Sequence, residues 1–369
     1  MTATDIQSTG ISAMSPTRMV EMLGGLYTNA LAHHCPVYRL PAVMLWGMPG
    51  VGKSQGVRQL AAYLQRSTGK HVVVTDVRLL LFNPIDLRGI PTADVNKEFA
   101  IWLRPKIFDM RAADDTINVL FLDEISAAPP SVQAAAYQIT LDRVIGEHRL
   151  PDNCIVMAAG NRVTDKSVAY KMPKALSNRL CHIQIEVDFK SWNEWAERSH
   201  LDKRVIGFLS NRRDMLCTFD AAKDDVAYAT PRSWEMVSTV LLEGGYANPR
   251  DAFALIAGLV GVGLANEFCA WCRTHASIPD IARILRGDYP AAPTSPDALY
   301  ATLRLFVATA GDCANTEAVR HLIVYSTKFP PDYTAAFFKE LLQKGDHVKA
   351  KLLQLPEFTR WVSTHAALF

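Results

Sequence analysis

The chain has 369 residues, of which 49% are hydrophobic and 21% charged, and its formal net charge is +2. This length allows two or three domains with a substantial core, and the composition is typical of a soluble globular protein. The balanced charge, with neither a basic stripe nor stacking aromatics, argues against a dedicated nucleic-acid binder.

Membrane and targeting segments are not apparent in the sequence. The longest apolar run, Ala252 to Ala265, has 14 residues and three glycines, too few residues to cross a bilayer. The N-terminal residues lack the basic start and apolar stretch of a signal peptide. The seven cysteines are dispersed, as expected of reduced, buried thiols. The sequence therefore predicts a cytoplasmic protein.

The first predicted elements lead to a glycine-rich segment. Apolar residues recur at helical spacing from Pro16 to Leu31, and the apolar run Ala42 to Trp46 predicts a buried strand. Residues 47–54 read GMPGVGKS, which fits the pattern G-x-x-x-x-G-K-[ST], and a helical stretch from Gln55 to Gln65 follows. This order of strand, glycine-rich turn and helix predicts a phosphate-binding loop.

The residue types in this loop suit phosphate chemistry. Glycines let backbone N–H groups approach phosphate oxygens, and the helix N-terminus adds partial positive charge. Lys53 can reach the terminal phosphates, and Ser54 can ligate Mg²⁺. A chance Gly-Lys-Ser turn is the alternative, and the flanking strand and helix disfavour it. The predicted binding residues are Gly47, Met48, Pro49, Gly50, Val51, Gly52, Lys53 and Ser54.

A second apolar run, Ile117 to Leu122, predicts a buried strand that ends in Asp123 and Glu124. Acidic residues at the carboxyl end of a parallel strand face the ligand crevice. We expect Asp123 to hold Mg²⁺ together with Ser54, and Glu124 to orient and deprotonate the attacking water. An acidic pair that merely opens a loop is the alternative, and the upstream phosphate loop disfavours it.

A third apolar strand, Cys154 to Ala159, leads into Gly160 and Asn161. An uncharged amide at this point can hydrogen-bond the γ-phosphate or the attacking water without competing for the metal. Arg179 then precedes another predicted strand, from His182 to Val187, and Arg232 follows Pro231. On the residues alone, the alternative for Arg179 is a surface arginine that precedes a strand. The alternative for Arg232 is a residue that simply starts a helix.

The order of these parts resembles an AAA+ ATPase. In that resemblance, residues 47–54 are Walker A, residues 119–124 are Walker B, and Asn161 is sensor 1. Arg179 occupies the arginine-finger position and Arg232 the sensor 2 position, so the implied catalytic residues are Glu124, Asn161, Arg179 and Arg232.

Two further segments are similar to the MoxR branch of that family. Residues 142–151 predict two short strands joined by a turn at Gly146 and Glu147, which resembles the hairpin inserted before sensor 1. Residues 83–91, followed by residues 99–102, resemble the helix-2 insert. The segments 158–162 and 176–179 also fit this branch, and the resemblance covers about residues 36–275.

The alternation of strands and helices predicts an α/β fold with a mostly parallel sheet covered on both faces. The expected parts are an N-terminal helical segment (1–35), an AAA+ nucleotide-binding domain (36–188), an α-helical lid (189–286) and a helical C-terminal extension (297–369). Trp192 and Trp195 fit a lid core, although a pair of tryptophans can also stack on a base. The helical segment with Cys269, Cys272 and His275 is more typical of a packed core than of a zinc site.

The resemblance implies an enzyme that hydrolyses ATP with Mg²⁺ and remodels or activates a protein partner. It also implies a homo-oligomeric ring, expected to be a hexamer, with Arg179 serving the neighbour's nucleotide. The partner is expected to be a separate chain, one with a von Willebrand factor A domain, whose binding depends on ATP. The two projections, with Arg88, Arg143 and Arg149, and the helices after Pro296 are its predicted contacts. A nucleic-acid translocase and a nucleotide-dependent assembly switch remain alternatives.

Overall fold

The computed structural model describes residues 11–162, 170, 172, 177–276, 278–312 and 315–368. Residues 1–10 of the predicted N-terminal segment and residue 176 of the segment 176–179 lie outside this description. The described chain divides into two compact units. Unit 1 comprises the residues up to Gly244 together with Leu255–Val262, and unit 2 comprises Gly245–Ala254 and the residues from Gly263 onward.

The described residues contain ten strands, all of which lie in unit 1. They are β1 (Ala13–Met14), β2 (Val43–Trp46), β3 (His71–Arg78), β4 (Ile90–Ala93), β5 (Ala100–Leu103), β6 (Thr116–Asp123), β7 (Val144–Ile145), β8 (His148–Arg149), β9 (Cys154–Gly160) and β10 (Cys181–Ile185). Six of them form one sheet in the order β1-β10-β2-β9-β6-β3, and every pair in it is parallel. The predicted parallel α/β sheet is therefore confirmed.

The helices flank this sheet and then continue alone toward the C-terminus. The first seven are α1 (Pro16–Ala32), α2 (Lys53–Thr68), α3 (Pro84–Arg88), α4 (Pro130–Asp142), α5 (Phe189–Arg198), α6 (Lys203–Asn211) and α7 (Pro231–Glu243). The rest are α8 (Phe253–Val260), α9 (Val262–Ala276), α10 (Ile281–Leu285), α11 (Pro296–Asp312), α12 (Thr316–Ser326), α13 (Pro331–Leu342), α14 (Asp346–Leu353) and α15 (Pro356–Thr364). No described residue after β10 is in a strand, as the sequence predicts.

The sheet has a hydrophobic layer on each face because side chains alternate along its strands. In β6, Val119 and Phe121 join the cluster formed with α1 and α2, whereas Leu120 and Leu122 join the cluster formed with α4. Burial on both faces explains why β6 and β9 appear in the sequence as continuous apolar runs. Such strands leave polar groups only at their ends, and this brings the predicted site residues to one edge of the sheet.

The two segments that resemble inserts form antiparallel hairpins, β4 with β5 and β7 with β8. They contact each other, since His148 Nε2 lies 2.7 Å from the carbonyl oxygen of Trp102. A Cβ added at Gly146, where φ is +57°, would lie 2.5 Å from the Arg88 carbonyl oxygen. The glycine therefore permits a close approach between the two projections.

One predicted partner contact is wrong. Arg143 is only 8% exposed and does not lie at the tip of a projection. Its guanidinium donates to the carbonyl oxygens of Leu40 and Cys154, each at 3.0 Å. A buried cation needs such acceptors, so this residue secures the base of the hairpin. Arg88 and Arg149 are exposed, as a docking role requires.

Unit 2 has a core of its own, built from helices and rich in aromatic rings. Phe306 is fully buried and its ring lies about 6 Å from those of Tyr325, Phe329 and Phe337. Cys269 and Cys272 are buried in α9, and His275 stacks on Trp271 with 3.8 Å between ring centroids. This segment is a packed helix, in line with the core interpretation. None of the described helices combines the length and apolarity that crossing a membrane requires.

Candidate active site

The glycine-rich loop connects the end of β2 to the start of α2 through backbone conformations that need glycine. Gly50 has φ +77°, and Gly52, which caps α2, has φ +103°. L-residues with a side chain rarely adopt such values. A Cβ at Gly50 would also lie 2.8 Å from Thr230 Oγ1. The loop thus lies against Thr230, which precedes α7. Both its backbone conformation and this close contact require glycine at position 50.

The Lys53 ammonium is fixed at this loop by three acceptors. Its Nζ donates to the carbonyl oxygens of Gly47 (2.6 Å) and Met48 (3.1 Å) and to Oδ1 of Asn161 (2.9 Å). Lys53 and Asn161 are 108 residues apart in sequence, but β2 and β9 are neighbours and end at the same edge of the sheet. The predicted phosphate cation and the predicted amide are therefore in direct contact.

Ser54 and Asp123 form the second pair that the sequence predicts. Ser54 Oγ donates to Asp123 Oδ2 at 2.8 Å. Two hard oxygen donors next to a phosphate-binding loop suit Mg²⁺, which binds proteins through one or two such groups and fills its remaining positions with phosphate and water oxygens. The chemistry of this donor pair therefore fits magnesium.

Glu124 occupies a strained backbone position directly after β6. Its φ is +59°, which is uncommon for a residue other than glycine, and its N–H donates to Asp123 Oδ1 at 2.9 Å. Ile125 N then donates to the Ala159 carbonyl oxygen at 2.9 Å, so the chain rejoins β9 at once. Strain of this kind persists where the surroundings hold it and is common at functional sites. Here it places the carboxylate in the wall of the cleft.

Asn161 is positioned by a residue to which the sequence analysis assigned no role. Its N–H donates to Ser126 Oγ at 2.9 Å. A Cβ at Gly160 would lie 2.7 Å from the same oxygen and 2.9 Å from Met44 Cε. Ser126 is only 5% exposed, and glycine at position 160 permits this close contact. Ser126 lies two residues after Glu124, but a serine there carries no sequence signal of its own.

Arg232 also lies at the cleft. Thr230 caps α7, with its Oγ1 accepting from Ser233 N at 3.0 Å, and Arg232 lies in the first turn of that helix. The guanidinium lines the same cleft as the loop, Asp123 and Glu124. Position 232 is thus both a helix start and a wall of the site. Burial raises the pKa of the nearby Glu235 carboxyl, and Arg232 partly offsets this effect.

Arg179 is separate from this group. It is exposed in the turn between Ser177 and β10, and it is not among the described residues that line the cleft. Nine predicted positions therefore line the cleft within one unit, while the predicted finger lies elsewhere on the surface. The nine are Pro49, Gly50, Gly52, Lys53, Ser54, Asp123, Glu124, Asn161 and Arg232.

A comparison with protein families identifies the segment that contains these parts. Residues 42–182 match the family described as ATPase family associated with various cellular activities (AAA). The matched segment covers less than half of the chain. It includes the phosphate loop, both acidic residues, Asn161 and Arg179, whereas Arg232 lies beyond its end. A search of curated proteins finds no match to the chain.

Many solved structures resemble the chain at low sequence identity. A chain of the E. coli MS115-1 HORMA:CdnC:Trip13 complex is 16% identical, with 68% of this chain and 86% of that one covered and a TM-score of 0.37. NtrX from Brucella abortus in complex with ATP is 14% identical, with 93% and 68% covered and a TM-score of 0.36. PCH-2 of C. elegans is 15% identical, with 71% and 68% covered and a TM-score of 0.36.

Proposed function

We propose that the chain is a MoxR-type AAA+ ATPase that binds ATP with Mg²⁺ at this cleft, hydrolyses it, and thereby remodels or activates a protein partner. The observation that carries this proposal is the convergence of Lys53, Ser54, Asp123 and Glu124 at one edge of the parallel sheet. Lys53 Nζ is bonded to Asn161 there, so binding and sensing groups share one hydrogen-bond network.

The roles of the residues follow from their chemistry. Backbone N–H groups of residues 47–54 and the Lys53 ammonium would bind the phosphate oxygens. Ser54 and Asp123 would hold Mg²⁺, which neutralises charge on the phosphates when bound. Glu124 would accept the proton of the attacking water, and Asn161 would donate its amide N–H to the γ-phosphate or orient that water.

Active sites between subunits would explain why Arg179 lies away from the cleft. An exposed arginine can serve a neighbouring subunit's nucleotide, and head-to-tail contacts of that kind generate closed rings. We therefore include a hexameric ring in the proposal, with Arg179 acting in trans. Division of the chain at residues 35, 188 and 286, and a cytoplasmic location, also remain predictions.

Mixed rings test this proposal. Subunits with Arg179→Ala and subunits with Glu124→Gln should each bind ATP and hydrolyse it slowly. In a 1:1 mixture, roughly a quarter of the interfaces combine an intact Glu124 with an intact neighbouring Arg179. ATP turnover of the mixture should therefore exceed that of either variant alone. No gain in rings verified to contain both subunits would contradict the assignment of Arg179.

The partner is proposed to be a separate protein, in the MoxR pattern one with a von Willebrand factor A domain. The contact between the β4–β5 and β7–β8 hairpins supports one continuous docking surface rather than two. Arg88 and Arg149 remain candidate contacts because both are exposed, and the helices after Pro296 are further candidates. Arg143 is not a candidate, because it is buried.

A further inference from the structure

A short hydrogen-bond chain links the end of β2 to the turn that carries Arg179. Trp46 Nε1 donates to His182 Nδ1 at 2.8 Å, and the planes of the two rings differ by only 16°. On the other side of the imidazole, His182 Nε2 lies 2.7 Å from the carbonyl oxygen of Ser177. Trp46 is the last residue of β2, directly before the glycine-rich loop, and His182 lies in β10. The imidazole therefore joins β2 to the turn of residues 177–180, the finger turn.

The two partners of His182 determine which of its nitrogens carries the hydrogen. An indole N–H can only donate, so Nδ1 must accept through its lone pair. A carbonyl oxygen can only accept, so Nε2 must carry the hydrogen and donate it to Ser177. The neutral imidazole in this one tautomer satisfies both partners. An apolar side chain would fill the same space but would bond neither of them, so position 182 needs an acceptor on one side and a donor on the other.

The finger turn depends on this contact for its backbone position. The Ser177 carbonyl oxygen also accepts from Leu180 N, but at 3.4 Å, which is long for such a bond. His182 thus supplies the shorter of the two. Leu180 is buried and anchors the far end of the turn, whereas Asn178 and Arg179 between the two ends are exposed. The direction of the Arg179 side chain is therefore set by the backbone of the turn rather than by burial.

We infer that His182 is a positioning residue for Arg179: its Nε2–H holds the Ser177 carbonyl oxygen and thereby directs the arginine toward the nucleotide of the neighbouring subunit. The inference rests on the proposed function, because Arg179 acts in this way only if active sites form between subunits. Stabilisation of transition-state charge depends on exact placement of the cation. His182 is not among the described residues that line the cleft. Its loss should therefore affect turnover at the neighbour's site and leave ATP affinity unchanged.

The first test removes the donor and keeps an aromatic ring. His182→Phe should lower ATP turnover by about 3- to 10-fold, the effect of one hydrogen bond, with ATP affinity unchanged. His182→Gln can place an amide N–H at the Ser177 carbonyl oxygen and should keep turnover within about 2-fold of the wild type. His365→Phe, at a histidine that stacks on Trp361 in unit 2, is the control and should match the wild type. Wild-type turnover in His182→Phe, or the same loss in His182→Gln, would overturn the inference.

The second test shows on which side of a subunit interface His182 acts. Mixed 1:1 with Glu124→Gln subunits, His182→Phe subunits should give a turnover above the mean of the two variants, because some interfaces then pair an intact Glu124 with an intact finger turn. Mixed with Arg179→Ala subunits, they should give only the mean, since both variants lack the same side. Any other pattern in rings verified to contain both subunits would overturn the inference. No gain when Arg179→Ala is mixed with Glu124→Gln would contradict the proposed function itself, and the inference with it.

Discussion

Both units have a buried hydrophobic core, but they differ in where their polar groups lie. In unit 2 a cluster of aromatic rings fills the core, at Phe306, Tyr325, Phe329, Phe337, Phe338, Phe358 and Trp361. In unit 1 the buried strands are mainly aliphatic, and charged and amide groups gather where the parallel strands end. A parallel sheet collects its strand ends on one edge, which a helical core does not do. We therefore expect chemistry from unit 1 and stability effects alone from the unit 2 core.

The largest expected stability effect comes from the aromatic core. Phe306→Ala removes a fully buried ring and should lower the free energy of unfolding of unit 2 by about 3–5 kcal/mol. Urea unfolding of the full chain measures this loss. ATP affinity at a temperature where the variant is folded should stay as in the wild type. A specific loss of ATP binding in the folded variant would show that the unit 2 core affects more than stability.

The base of the β7–β8 hairpin gives the next effect. Arg143→Met removes the donors of two carbonyl oxygens, the buried one of Cys154 and the half-buried one of Leu40, and should cost about 2–3 kcal/mol of stability. Arg149→Met is the matched control, since Arg149 is exposed and pairs with Asp152 only at 3.8 Å, and it should cost less than about 0.5 kcal/mol. Equal thermal stability of the two variants would show that Arg143 is not structural.

A smaller loss of stability is expected when alanine replaces a tightly packed glycine, and none is expected at a glycine with open space around it. Gly160→Ala places a methyl group against Ser126 and Met44, and should cost about 1–2 kcal/mol and slow ATP hydrolysis by displacing Asn161. Gly25→Ala in α1 meets nothing within 4 Å and should be neutral or stabilising by up to about 1 kcal/mol. Calorimetry and ATP turnover measure both. If Gly160→Ala is destabilised but its ATP turnover is normal, the position of Asn161 does not matter for catalysis.

Much of the fold is predictable because unit 1 obeys local rules. The strands β2, β6, β9 and β10 were predicted within about two residues of their ends, since burial on both faces makes them apolar runs. β3 (His71–Arg78) is not evident from the sequence pattern. Among the described strands it pairs with β6 alone, at the edge of the sheet, and exposed residues such as His71 and Asp76 interrupt its apolar pattern.

The site was predictable where one residue type in a fixed pattern carries the chemistry, as at Lys53 and Asp123. Contacts between distant segments that no motif marks were not predictable. Ser126 reaches Asn161 only because β6 and β9 are adjacent, and Arg143 is buried because Leu40 and Cys154 present carbonyl oxygens to it. A charged residue next to a hairpin turn looks like a surface residue until its partners are known.

The central claim is that different residues of the unit 1 cleft serve nucleotide binding and the chemical step. Measuring ATP affinity and ATP turnover in two variants tests this claim most directly. Glu124→Gln should keep ATP affinity near the wild-type value while turnover falls by about 100-fold or more, because the base is lost and the phosphate contacts remain. Lys53→Ala should weaken ATP binding itself, since the cation at the loop is gone. Equal loss of ATP affinity in both variants, or wild-type turnover in Glu124→Gln, would contradict the account.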